Sequence, residues 1–138
     1  MTVVGPQGAA VFHFRGQYKL KAYADMEATV VLVDSGSSPI DLSIYTDAAF
    51  AGAARRERNE DITTVPLFQI TGAYTTNGTD GSLDLAIDGT KVGQDTPERG
   101  YYDIYGLRTS DSKYILLLTG RWECEGTAVN PNAQVADA

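Results

Sequence analysis

The sequence predicts an all-β domain, an antiparallel β-sandwich of about seven strands. Three observations carry this reading. Fourteen glycines and eight tyrosines in 138 residues, with few long runs of Ala, Leu, Glu and Lys, favour strands punctuated by turns over helices. Apolar residues recur at period two in several segments, the spacing that lines one face of a pleated strand. Dense turn clusters separate those segments.

The elements follow in order. From Tyr18 to Val33, Tyr18, Leu20, Ala22, Met26, Ala28, Val30 and Leu32 fall on one side, with Lys19, Lys21, Asp25 and Glu27 on the other. The span is too long for one flat strand and should bend or break near Asp25. Asp34-Ser-Gly-Ser-Ser-Pro39 ends it. Pro39 then restricts Ser38 to extended geometry, Asp41 can cap nearby amides, and Leu42 and Tyr45 can drop into the core on either side of the turn. These four residues form a candidate structural corner. In Ala48–Arg56, small residues around Phe50 fit a strand or a helix, and Gly52 with the close flanking turns favours the strand. A solvated loop runs from Arg56 to Thr63. Pro66–Tyr74 reads as a strand with Pro66 at its start, where a missing donor does little harm. Two turn signals in Asn77–Gly81 precede Ser82–Asp88, with Leu83, Leu85 and Ile87 inward, which makes a hairpin. Gly89–Arg99 is a polar loop with room for one helical turn. Gly100–Arg108 and Lys113–Cys124 flank Thr109–Ser112 as a second hairpin, whose apolar second strand belongs in the middle of a sheet. The polar tail has no apolar face of its own and would fray alone. The chain thus reads as one domain over 1–138, of immunoglobulin-like or jelly-roll-like type, with a core over about 11–126 and extended arms at 1–10 and 127–138.

Several function classes are excluded by composition. The single cysteine, Cys124, cannot close an intrachain bridge, so a disulfide framework is ruled out and synthesis in a cytoplasm is the simpler expectation. The first residues lack the basic start and long apolar core of a secretory signal, and no run approaches the ~18 apolar residues of a membrane span, so no membrane partner is expected. A formal net charge of -7 repels phosphate backbones and argues against direct nucleic-acid binding. Only Arg55-Arg56-Glu57-Arg58 is locally basic.

Catalytic spacing is missing as well. His13 is the only histidine, sits between Phe12 and Phe14, and reads as a strand residue; any triad would have to use it, and no nucleophile signature accompanies it. Cys124 lies between Glu123 and Glu125, whose charges raise a thiol pKa instead of activating it. Asp80, Asp84 and Asp88 have a superficial likeness to calcium-binding turns, but alternation spreads them along a strand at ~3.3 Å per residue, too far apart to share an ion. Glu123 and Glu125 project to one face while Trp122 and Cys124 alternate as the buried side. The expectation is a protein without catalytic residues, metal or cofactor.

Tyrosines mark the second hairpin. Tyr101, Asp103, Tyr105 and Leu107 share one face of their strand, and Tyr102, Ile104 and Gly106 share the other, so one set of rings is inside and the other faces either a protein partner or a covering loop. Candidate assembly residues are Tyr101, Tyr105 and Leu107 on this strand, Val3 and Val4 in the first arm, and Val129 and Val135 in the last.

Read as an ordered sentence, Arg15-Gly-Gln-Tyr, Ser38-Pro-Ile-Asp-Leu-Ser-Ile-Tyr-Thr, Ala53-Ala-Arg-Arg, Gly81-Ser-Leu-Asp-Leu, Gly100-Tyr-Tyr-Asp-Ile and Leu118-Thr-Gly-Arg-Trp resembles the small β-sandwich domains of tailed-phage baseplate and fibre-anchoring proteins. The N-terminal domain of upper baseplate proteins is the nearest type. The resemblance covers about residues 15 to 126, and Ile44 stands where that corner usually carries glycine. It implies a non-enzymatic structural component of a bacteriophage virion, made in the host cytoplasm: a tail or baseplate part, or a capsid-associated adaptor or cement protein. Its partners would be other virion proteins and copies of itself. A second function class stays open, a small lipocalin-like barrel that binds or isomerises an apolar molecule.

Overall fold

A computed structural model describes residues 2–4, 10–57, 66–75, 77–93 and 96–126, and at 2–4, 47–49 and 51 it describes the backbone alone. The strands are β1 (Thr2–Val4), β2 (Ala10–Val11), β3 (Leu20–Lys21), β4 (Met26–Val33), β5 (Tyr45–Arg55), β6 (Phe68–Tyr74), β7 (Ser82–Ile87), β8 (Arg99–Arg108) and β9 (Tyr114–Glu125). The helical elements among the described residues are three short 3₁₀ turns, at Gly16–Tyr18, Leu42–Ile44 and Gly89–Lys91. The domain is all-β, as the alternation predicts.

The strands form one sheet in the order β1-β4-β7-β6-β5-β8-β9-β2, with β3 also on β9. Its two ends, β1 and β2, lie beside each other, so the sheet is nearly closed into a barrel. Pairings among β4 to β9 are antiparallel, whereas β1 on β4, β2 on β9 and β3 on β9 are parallel. The expectation of about seven antiparallel strands is thereby corrected to nine strands in a mixed sheet. The additions are β1 and β2, pieces of three and two residues laid along distant strands and too short to show a period, while the first half of the Tyr18–Val33 span keeps only the two residues of β3.

Individual elements fall where the residues place them. The long early alternation breaks at Ala22–Asp25: Tyr23 takes a left-handed φ of 67°, and the Asp25 carboxylate accepts from the Gly89 amide at 2.7 Å, pinning the turn to the end of β7. Leu83, Leu85 and Ile87 point inward on β7 and pair with β4 and β6. At the corner, Asp41 Oδ1 accepts from the Ser43 amide and hydroxyl at 2.9 and 2.5 Å, and these bonds hold its pKa below the usual carboxylate range. Leu42 and Tyr45 are buried, both of their carbonyls lie within hydrogen-bond reach of the single Tyr74 hydroxyl proton, and Pro39 bridges back to Val33. Ile44 does not need the left-handed backbone that favours glycine; its side chain turns to solvent instead.

The interior is filled by Trp122, Tyr102, Phe14, Phe50, Phe68 and the aliphatic inward residues. Phe68 of β6 meets Trp122 of β9 edge to face at 5.1 Å between centroids, a contact between strands that are not neighbours. Phe14 packs on Tyr102 in the same manner at 5.3 Å. Rings and aliphatic side chains together remove their apolar area from water, worth roughly 25 cal/mol per Å².

Candidate interaction surface

The segment Phe12–Phe14 explains the histidine. It continues β2 along β9, with the Phe12 amide donating to Thr119 O at 3.1 Å and the Phe14 amide to Arg121 O at 2.9 Å. A parallel ladder would next send the Arg121 amide to Phe12 O. That carbonyl is instead taken by the buried Tyr102 hydroxyl at 2.5 Å, and the Arg121 amide donates to His13 Nδ1 at 3.0 Å. His13 therefore replaces a missing backbone acceptor, which requires the neutral ring with an unprotonated Nδ1. Partial burial and the nearby charges of Arg15 and Arg121 hold its pKa below the ordinary value. Gly120 makes room for the arrangement: a Cβ there would lie 1.9 Å from Phe12 O and 3.0 Å from the Tyr102 ring.

Other titratable groups are equally local in their bonding. Cys124 is buried, and burial first and Glu125 second push its thiol pKa up. Asp80 accepts from the Ser82 amide, Asp84 from the hydroxyls of Thr29 and Thr75, and Asp88 from Thr90, so the three acids serve separate turns and strand pairs. Among the described residues no three His, Cys, Asp or Glu side chains are grouped to hold a metal ion.

The outer face of the β8–β9 hairpin is different. Tyr102, Ile104 and Gly106 point inward, and Tyr101, Tyr105 and Leu107 share the outside, as the alternation predicts. Register then adds what the sequence reading missed. Tyr105 stands opposite Leu116 and Leu107 opposite Tyr114, giving a four-residue apolar patch in which Tyr105 is 42% and Tyr114 68% exposed. Ile44, 43% exposed, precedes β5, whose Thr46 pairs with Leu107. Tyr114 and Leu116 were hidden in the unbroken apolar run from Tyr114 to Leu118, where a register shift between Ile104 and Tyr105 puts the extra residue Leu117 inside.

Toward the other end of the same face the chemistry changes sign. Asp103 and Thr119 sit between the two zones, the Thr119 hydroxyl donating to the Asp103 carboxylate at 2.5 Å. Next come Arg55, Tyr101 and Arg121 in one cross-strand row, with the Arg121 guanidinium 5.6 Å from the Tyr101 ring centroid. Beyond that row lies an open groove of about 670 Å³, to which Arg56, Arg99 and Arg121 contribute with Glu57 and Glu98. Sequence order scatters these arginines; only the strand register gathers them.

Comparison with protein-family models gives no match, and comparison with curated proteins gives none. No helix among the described residues is long and apolar enough to cross a membrane.

Of the remaining sequence candidates, Val3 and Val4 lie in β1, where the backbone alone is described, and Val129 and Val135 lie outside the described residues with the rest of the 127–138 arm.

Proposed function

We propose that this chain is a non-enzymatic structural component of a bacteriophage virion, a tail or baseplate part or a capsid-associated adaptor or cement protein, that works through subunit packing. The observation that carries the reading is the apolar patch of Tyr105, Leu107, Tyr114 and Leu116 on the outside of β8–β9, with two tyrosine rings turned to solvent beside a row of arginines. Tyr and Arg are the residue types enriched at protein interfaces, where a planar ring or guanidinium meets a partner at low entropic cost. The virion assignment rests on the ordered segments that resemble baseplate and fibre-anchoring domains.

The same reading takes the nearly closed sheet as two packed layers, a sandwich and not a hollow tube. Support comes from Phe68 reaching Trp122 through the interior and from the rings that fill it. A lipocalin-like ligand carrier needs an open apolar lumen. The filled interior favours packing over carriage.

The test is assembly. With the chain affinity-tagged in an infected host, co-purification with virions and its loss in a Tyr105→Glu/Tyr114→Glu variant of unchanged circular dichroism are expected. A chain that stays out of particles, or that turns over a substrate in a His13-dependent way, would sink the reading.

A further inference from the structure

We infer that the arginine groove receives the acid-lined flank of a second copy of this chain, so that copies associate head to tail through unlike faces. The inference rests on the packing reading above and names the partner. In a chain of net charge -7, Arg15, Arg55, Arg56, Arg99 and Arg121 gather around one end of the β5–β8–β9 face. Among the other described cations, Arg108 holds Asp111 at 2.7 Å and Lys19 and Lys21 lie near Glu125, while Lys91 and Lys113 make no ion pair among the described residues. Arg56, Arg99 and Arg121 are exposed and have no ion pair among the described residues. Three unpaired guanidinium groups around a tyrosine are a ready receptor for carboxylates, which they bind through paired N–H donors.

The chain carries a matching surface. On the outside of β4, β7 and β6 an open groove of about 620 Å³ is bordered by Asp25, Glu27 and Asp88, with Leu67 as an exposed apolar wall and Lys91 as its cation. Asp25 and Asp88 are held by backbone amides through Oδ1, which fixes their carboxylates in place and leaves Oδ2 to a partner. The two grooves are of similar size and opposite sign, and they lie on different flanks of the sheet. Unlike faces on one molecule give heterologous contacts, which close into a ring or run on as a filament. A polyanion is a poorer fit, because the molecule as a whole repels it and Glu57 and Glu98 share the arginine groove.

Sedimentation velocity of the full chain tests this in about 50 mM and about 500 mM NaCl, between which the Debye length falls from about 14 to about 4 Å. Oligomers in low salt, weakened tenfold or more in high salt, are expected. Arg99→Glu/Arg121→Glu, which keeps only the acidic groove, and Glu27→Lys, which loses a carboxylate that no backbone bond needs, should each be monomeric and folded by circular dichroism. Mixed in equal amounts, they should form a heterodimer and nothing larger, since one intact groove of each kind remains. A wild-type monomer in low salt overturns the inference. So does an oligomer that ignores both salt and the arginine changes, or a monomer whose arginine groove binds inorganic phosphate alone. None of those three results touches co-purification with virions, which tests the packing reading separately.

Discussion

Tyr102 and Tyr105 are three residues apart on one strand and do opposite work. Tyr102 is 2% exposed, packs on Phe14, and spends its hydroxyl on Phe12 O; burial and the neighbouring Asp103 raise its pKa. Tyr105 is 42% exposed and stands over Leu116 on the outer face. The inner face of the β8–β9 hairpin is a closed structure in which each polar atom has a partner, while the outer face holds ring surface and guanidinium charge in reserve. What a side chain does here is decided by strand parity, not residue type, and substitutions on the two faces should separate stability from association.

The largest effect is expected on the inner face. Trp122→Ala removes a fully buried ring and its bond to Tyr101 O, and should cost about 3–5 kcal/mol in urea unfolding. Retention of a wild-type midpoint would show that the core is not centred there. Gly120→Ala comes next, at about 1–3 kcal/mol, because its methyl collides with Phe12 O and must push the Phe12–Phe14 segment off β9. Tyr102→Phe leaves that carbonyl without its hydroxyl donor, at about 1–3 kcal/mol. By contrast, Tyr105→Ala and Tyr114→Ala should shift unfolding by no more than about 0.5 kcal/mol while weakening assembly. If they destabilise the monomer as Tyr102→Phe does, the distinction between the faces collapses.

The smallest effect is a pH dependence. The folded state lowers the pKa of His13 below 6.5, so the unfolded chain binds the proton first as the solution is acidified. The His13 contribution is thus fully present above pH 6.5 and is lost as the pH falls through the lowered folded value. Urea midpoints followed downward from neutrality should show this decline. His13→Gln, whose side-chain oxygen can still accept from the Arg121 amide, should remove that part of it.

Strands β4 to β9 and the corner were legible because each rests on local chemistry: alternation, a turn cluster, or an Asp carboxylate reaching an amide two residues on. The shared outward face of Tyr101, Tyr105 and Leu107 was legible for the same reason. Pairing between remote residues was not. β1 and β2 are too short to show the alternation that reveals a strand, and the parallel partners of β1, β2 and β3 are chosen by the finished sheet. Arg15, Arg55, Arg99 and Arg121 come from four segments, and no reading of spacing predicts that register puts them together. His13 read as an ordinary strand residue, since nothing local shows that a tyrosine from β8 has displaced the Arg121 amide from its backbone acceptor.

The path of Phe12–Phe14 has a consequence for biogenesis. These two aromatic rings leave the ribosome well before β9, the strand that shelters them. Until β9 emerges, the nascent chain carries uncovered phenyl groups whose partner does not yet exist. Such long sequence separation between contacts slows folding, into the millisecond-to-second range for β-rich domains. Emergence of β9, and not of any earlier hairpin, is then the event that commits the domain to its native form.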